Sequence, residues 1–264
     1  MAQFGAATTG REVVAAFPER VKDKTSSLES VRKAAKVILA DRDITAIDGV
    51  FNNAGIITND LVRTPDRFES QFAINHLSHF LLTNMLMPRL LTSTSPRVVN
   101  ISSLGHKYYE PTFQDPHFSH IDPESYNPEA YAQSKGAQVL FSVALNRRYP
   151  QKRLRSFAVH PGNMDSGMYN HMRPEVLMDM AERITGRSLE YANGALTKTT
   201  EGGCATGLTA ALAPDLPDGV FMNDCQVTKD PEFVAAWAQD AGKAKVCWRV
   251  SKEAAEQSVG VDLA

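Results

Sequence analysis

Tyr131 and Lys135, in the run Tyr131-Ala132-Gln133-Ser134-Lys135, are the residues of this chain whose types and spacing could do acid–base chemistry. Four apart on a helix, they share one face and can act on one ligand. A phenol with an ordinary pKa of about 10 exchanges protons poorly at neutral pH, but a neighbouring ammonium favours the phenolate. The same spacing also arises where a half-buried aromatic lies along a lysine stem. The pair therefore takes its meaning from the elements that position it.

Those elements alternate. Residues 1–25 read as an N-terminal arm, with a short helix through Val13, Val14 and Phe17 that Pro18 ends. Ser26-Ser27-Leu28-Glu29 has capping-box form, and Leu28, Val31, Ala35 and Ile38 recur at helical spacing, which predicts a helix from Ser27 to Asp41. Ile47 to Phe51 is a short apolar run broken by Asn52-Asn53-Ala54-Gly55, as in a buried strand that ends in a tight turn. Thr64-Pro65 has the form of an N-cap with proline at the first helical position, opening a long helix through Phe68, Phe72, Asn75, Phe80 and Leu82. Pro96 to Ile101 is a second strand, ending at Ser102-Ser103, and Leu104 to Pro128 is a long surface excursion. A helix from Glu129 to Arg148 carries the pair, and Leu154 to His160 is a third strand closed by Pro161-Gly162. This alternation predicts an α/β fold with a doubly wound parallel sheet. Ligands of such sheets sit beyond the carboxyl ends of the strands, which is where the unusual residues fall.

Composition narrows the partners. Lys and Arg number 28 against 30 Asp and Glu, so charge gives no reason to expect nucleic acid or an anionic membrane surface. Three widely spaced cysteines, Cys204, Cys225 and Cys247, suit a reducing setting. No apolar run approaches the ~20 residues of a membrane span. The start lacks the pattern of a signal peptide, and the expectation is a soluble, cytoplasmic protein acting on a small molecule.

Together these residues resemble the short-chain dehydrogenase/reductase family, in its retinol-dehydrogenase-like and fungal branch, from about Ser26 to the C-terminus. The resemblance rests on Asn52-Asn53-Ala54-Gly55, Asn75, Ser103, Tyr131 with Lys135, Pro161-Gly162 with Ser166, and the late Asn223-Asp224-Cys225-Gln226-Val227. It implies hydride transfer between NAD or NADP and an alcohol or carbonyl of an apolar small molecule. By it, Tyr131 is the general acid or base, Lys135 depresses its pKa and holds the nicotinamide ribose, and Ser103 hydrogen-bonds the reacting oxygen. Asn75 would position a water linking Lys135 to solvent. Asn53, Ala54, Gly55, Pro161, Gly162 and Ser166 would line the cofactor. Such chemistry asks for a donor of tunable acidity, a cation beside it and a polar group where charge develops.

The family also places a glycine-rich turn, T-G-x-x-x-G-x-G, after its first strand, because the pyrophosphate needs close backbone approach at a helix N-terminus. Thr9-Gly10 begins that pattern here, but Val14 and Ala16 stand at the later glycine positions. The chain reads as if it passes from Lys24-Thr25 to Ser26 across a missing segment of roughly 50 residues, the size of a βαβ unit with a further strand. Residues 26–264 are thus expected to form one truncated Rossmann-like domain, and the exposed sheet to call for a homo-oligomer or another partner that covers it. The function classes that follow are an NAD(P)-dependent oxidoreductase and a catalytically inactive homologue that binds a substrate or partner.

Plainer alternatives stand beside several residues. Ser102 could serve for Ser103, and Asn75 could be a buried asparagine bonding backbone. His76 with His79, and His117 with His120, have two-ligand metal spacing but lack a third ligand, which favours packing roles. Met164, Met168, Met172, Met178 and Met180 suit an adaptable lid over an apolar substrate, or a helix packed on the sheet. Tyr108, Tyr109, Phe113 and Phe118 lie where the family builds substrate walls.

Overall fold

A computed structural model describes residues 27–120, 128–149, 154–164, 167–186, 197–260 and 262–263. The arm 1–25, Ser26 and Ser166 lie outside the described residues. Five strands form one sheet in the order β1 (Gly49–Asn52), β2 (Arg97–Ile101), β3 (Arg155–Val159), β6 (Phe221–Asn223), β7 (Gln226–Thr228). The first four run parallel and β7 is antiparallel to β6. The turn joining those two has Asp224 and Cys225 both in the left-handed region, at φ 46° and 62°, the geometry of a tight hairpin of matched twist. Two short strands, β4 (Asn163–Met164) and β5 (Thr197–Lys198), pair separately. The architecture is the expected α/β fold with a parallel-dominant, Rossmann-like sheet.

Alternation along the strands divides the core. Val50 and Val98 point to the face covered by α1 (Leu28–Ala40), α2 (residues 70–90), α3 (Pro128–Arg148) and α6 (Ala241–Val259), where Leu77, Phe80, Leu140, Phe141 and Trp248 fill the main cluster. Val99, Phe157, Val159 and Met222 point to the other face, under Ala210 of α5 (Thr200–Leu212). Burial of each such side chain is worth about 1.5–3 kcal/mol. Helices on both faces are what a parallel sheet requires.

Local starts and stops differ in two places from the sequence expectation. In α1 the cap is Ser27, whose hydroxyl accepts from the Ser30 amide, so Ser30 and not Glu29 completes the first turn. The helix expected from Thr64-Pro65 begins later. Thr64 to Phe68 instead form a closed turn, with the Arg67 amide donating to Thr64 O, the Thr64 amide to Phe68 O, and Arg67 at φ 66°. The cap is Glu69, whose buried carboxyl accepts from the Gln71 and Phe72 amides. Helix α2 then runs as Ser70–Phe72, a π turn Ala73–Leu77 and Ser78–Leu90. A carboxyl reaching two orphan amides outcompetes a threonine whose own backbone is engaged in a turn.

The excursion after β2 is partly ordered: Leu104–Tyr108 make a 3₁₀ turn capped by the Ser103 hydroxyl. Phe113 is buried against the main core beside Phe72, with ring centroids 6.3 Å apart. It packs the fold and is not a substrate wall. Phe118 is buried with Leu61 and Ala130.

Candidate active site

Three strand ends converge where the sequence placed a ligand. Asn52 and Asn100 pair across β1 and β2, and their side chains continue the pairing: Asn52 Nδ2 donates to Asn100 Oδ1 at 2.7 Å and to Thr83 Oγ1 at 3.0 Å, while Asn100 Nδ2 donates to Ser142 Oγ at 2.8 Å. This buried polar ladder ties the strand tips to α2 and α3. Asn52 entered the sequence reading only as part of the turn Asn52-Asn53-Ala54-Gly55, and Thr83, Asn100 and Ser142 were passed over, although an asparagine near the carboxyl end of two successive buried strands was the available signal.

Helix α3 presents both members of the opening pair in the interior. Tyr131 and Lys135 are each 3% exposed, with Lys135 Nζ 5.8 Å from the Tyr131 ring centroid. Lys135 Nζ donates to Ile101 O at 2.9 Å. Burial pushes the ammonium down from its ordinary value to about 8, because a charge removed from water is disfavoured. The lysine is thereby poised to exchange its proton near physiological pH.

Ser103 and Ser102 separate in role. Ser102 Oγ donates to Lys135 O at 2.7 Å, a buried clamp on α3. Ser103 Oγ accepts from the Gly105 amide at 3.0 Å, and Gly105 lies against both that hydroxyl and the edge of the Tyr131 ring. His106 fixes this turn: Nδ1 lies 2.6 Å from Ser103 O, and Nε2 lies 3.1 Å from the Ala235 amide, which donates to it. That pattern assigns the proton to Nδ1 of a neutral ring. Burial holds the imidazole down at about 4, so it stays neutral. The sequence reading passed over His106.

Asn75 sits within the π turn of α2. Its Oδ1 accepts from the Ile56 amide at 2.7 Å, and Nδ2 donates to Ile56 O and Ser134 Oγ at 2.9 Å each. Its carbonyl accepts from Gln138 Nε2. The amide is thus a brace between the β1 loop and α3. Gly55 lies in the crevice so formed: a Cβ there would stand 3.2 Å from Asn75 Oδ1 and 3.4 Å from Lys135 Nζ. Asn53 and Ala54 are exposed beside it. Gly162 takes φ 90°, open to glycine, and packs against the Lys198 side chain, which pairs with Asp224.

An apolar cluster covers Tyr131. Ile57, Tyr131, Met172, Val176 and Met180 are buried together, with Met168, Tyr169 and Leu177 against them. Met178 is exposed and Met164 lies against Gly203, so three of the five methionines gather at Tyr131. The lid helix α4 (Pro174–Thr185) packs on the 3₁₀ turn after Ser103, not as a plain helix on the sheet. Tyr108 faces its Arg183, 5.3 Å from the guanidinium.

The histidine pairs pack. His76 Nε2 lies 2.6 Å from Ser251 Oγ, His79 Nδ1 2.6 Å from Gln138 Nε2, and His117 stacks on Phe68 at 4.8 Å. Among the described residues no three His, Cys, Asp or Glu side chains are grouped to hold a metal.

The family model for short chain dehydrogenase matches residues 8–114. The short-chain dehydrogenase/reductase prx1 of Penicillium roqueforti is 36% identical over 213 residues, covering 76% of this chain and 57% of that protein. The chain belongs to the short-chain dehydrogenase/reductase family. Retinol dehydrogenase 12 of Bos taurus is 35% identical over 232 residues, covering 86% of this chain and 66% of that protein. A crystal structure of an uncharacterized protein from Mycobacterium paratuberculosis has a TM-score of 0.58 at 30% identity, covering 91% of this chain and 75% of that one. The chain therefore spans between about three-fifths and two-thirds of the length of these curated relatives. The family match begins inside the segment read as an arm and ends before Tyr131.

Proposed function

We propose that this chain is an oxidoreductase that moves a hydride between NAD(P) and an alcohol or carbonyl of an apolar small molecule, with Tyr131 as proton donor or acceptor. The observation that carries the reading is the burial of Tyr131 and Lys135 side by side, with Gly105 lying against both the Ser103 hydroxyl and the Tyr131 ring and apolar side chains packed on Tyr131. Retinol, in the names of the mammalian relatives, is an apolar alcohol, which supports that substrate class.

The residues present fit one end of the cofactor. The crevice at Gly55, narrowed by Asn75 Oδ1 and Lys135 Nζ, suits a ribose approached by an ammonium, with Pro161 and Gly162 assigned to its edge by family resemblance. Ser166, beyond the described residues, is assigned to the same edge by family resemblance. For the pyrophosphate end, the sequence supplies no glycine-rich turn. The cofactor, when bound, supplies or accepts the hydride. Tyr131 gives its phenolic proton to the substrate oxygen, or takes it in the reverse direction. Lys135, held between charge states by burial, stabilises the phenolate, and the Ser103 hydroxyl donates to the oxygen where charge develops. Asn75 acts as the brace that sets Ile56 and α3 in register. Residues 26–264 are taken as one truncated domain. A reducing, cytoplasmic setting agrees with Cys204, Cys225 and Cys247 remaining free thiols.

Fluorescence titration with NADPH and NADH tests the reading. Saturable binding of either is the expected outcome. Its absence for both rejects the activity for this chain and leaves a substrate-binding homologue.

A further inference from the structure

His106 has no part in the chemistry proposed above, yet its ring joins the turn after β2 to a segment 129 residues later. Nδ1 lies 2.6 Å from Ser103 O, which also accepts from the His106 amide at the longer distance of 3.2 Å. The ring therefore supplies the tighter hold on that carbonyl. Nε2 accepts from the Ala235 amide at 3.1 Å, and an accepting Nε2 leaves the proton of a neutral ring on Nδ1. With the proton on Nε2 instead, a lone pair would face Ser103 O. The ring is wholly buried, with Phe221 at 5.2 Å and Trp237 edge-on at 6.1 Å. The segment that carries Ala235 is anchored in turn. Asp230 O accepts from the Phe233 and Val234 amides at 2.9 Å each, and Lys107 Nζ donates to Glu232 O at 2.6 Å. Trp237 packs on Gly136, the neighbour of Lys135, where an added Cβ would stand 2.6 Å from the indole.

The turn held in this way carries more than one group of the site. An added Cβ on Gly105 would stand 3.0 Å from Tyr131 Cε1 and 3.3 Å from Ser103 Oγ, and the Gly105 amide donates to that hydroxyl at 3.0 Å. A shift of the turn therefore moves the Ser103 hydroxyl and loosens the Tyr131 ring together, and reacting groups lose rate steeply when displaced by about 1 Å. We propose that His106 is a positioning residue for the reaction, donating from Nδ1 to the Ser103 carbonyl while Ala235 fixes its tautomer, so that segment 230–237 sets the alignment of Ser103 with Tyr131. This rests on the oxidoreductase reading for the reaction, but not for the hold on the turn. Packing alone would ask only for a ring of the right volume, whereas the proposed hold asks for a donor at the Nδ1 position.

Two substitutions separate the nitrogens. His106→Asn places an amide donor where Nδ1 stands and loses the acceptor for Ala235, and His106→Gln places an acceptor where Nε2 stands and loses the donor to Ser103 O. In hydrogen–deuterium exchange without cofactor, His106→Gln is expected to speed exchange across residues 103–108 by about fivefold, the loss of one modest hydrogen bond, and His106→Asn to leave it near the wild type. In reduction of decanal at saturating NADPH or NADH, His106→Gln is expected to lower kcat by about fivefold with KM little changed, and His106→Asn to keep the wild-type kcat. Equal exchange in the two variants overturns the proposal, because His106 would then only pack, and so does a wild-type kcat in His106→Gln. Nitrogen-15 spectra of the wild-type ring need no variant: a proton on Nδ1 is expected, and a proton on Nε2 overturns the proposal. Absence of turnover in all three proteins rejects the oxidoreductase reading and the catalytic part of the proposal with it, while the exchange contrast and the tautomer still decide the hold on the turn.

Discussion

Lys135 carries the sharpest consequence at the scale of single residues. A buried ammonium whose folded-state value is about 8 against an ordinary 10.5 binds fewer protons folded than unfolded between those limits, so stability rises with pH through that window. Below pH 8 the full penalty remains, on the order of 3 kcal/mol at most. Lys135→Met is therefore expected to raise stability at pH 7 by about 1–3 kcal/mol, offset in part by the loss of the bond to Ile101 O, with the gain shrinking toward pH 10. Chemical denaturation at both pH values measures it, and a variant less stable at pH 7 contradicts the assignment. The residue scale is also where the sequence was most legible. Tyr131, Lys135, Ser103 and Gly55 gather as their types and spacing suggested. His106 was invisible, because its role depends on Ser103 and Ala235, far apart in sequence, meeting in space. Asn75 was found for its place in the helix, but its contacts are those of a brace.

Among the elements, α2 departs most from expectation, and its cap explains a testable pH dependence. Burial pushes the Glu69 carboxyl up to about 7 from 4.5, although the Gln71 and Phe72 amides favour its charge. The folded state then holds a proton that the unfolded state releases, so this group makes stability fall as pH rises from about 4.5 to 7, by ~3 kcal/mol at the upper bound. Glu69→Gln keeps an acceptor for one amide and removes that fall. Thermal melts at pH 5 and pH 7.5 are expected to differ less in the variant than in the wild type, and an equal difference in both would refute the linkage. Helices α1 and α3 were legible from apolar spacing, and the three strands from short apolar runs ended by Asn, Ser and Gly. The start of α2 was not, because Thr64-Pro65 satisfies the local rule for a helix start while a buried carboxyl five residues on satisfies it better. The π turn lies at Asn75, where such turns commonly accompany function, and it leaves no mark in composition.

The whole molecule has an open edge. β1 pairs with β2 on one side and with no strand on the other among the described residues. Beside it Phe51 is 45% exposed, and Leu208 and Leu212 on α5 are 51% and 71% exposed. Apolar surface beside an unpaired parallel edge invites association. Light scattering after size-exclusion chromatography is expected to find oligomers or aggregates whose share falls in Phe51→Lys. A monomer that melts cooperatively would mean that the edge is covered by the chain itself. The fold class was readable from the order of elements, but the patch was not, since only three-dimensional packing brings Phe51 against Gly207 of α5.

The account turns on proton transfer at Tyr131, and turnover of an apolar aldehyde with NADPH or NADH at saturating cofactor, compared between wild type and Tyr131→Phe, tests it most directly. Loss of one positioned acid–base group predicts a fall of at least ~100-fold in kcat with an unchanged melting temperature. Equal rates in the two proteins, or none in the wild type, would contradict it.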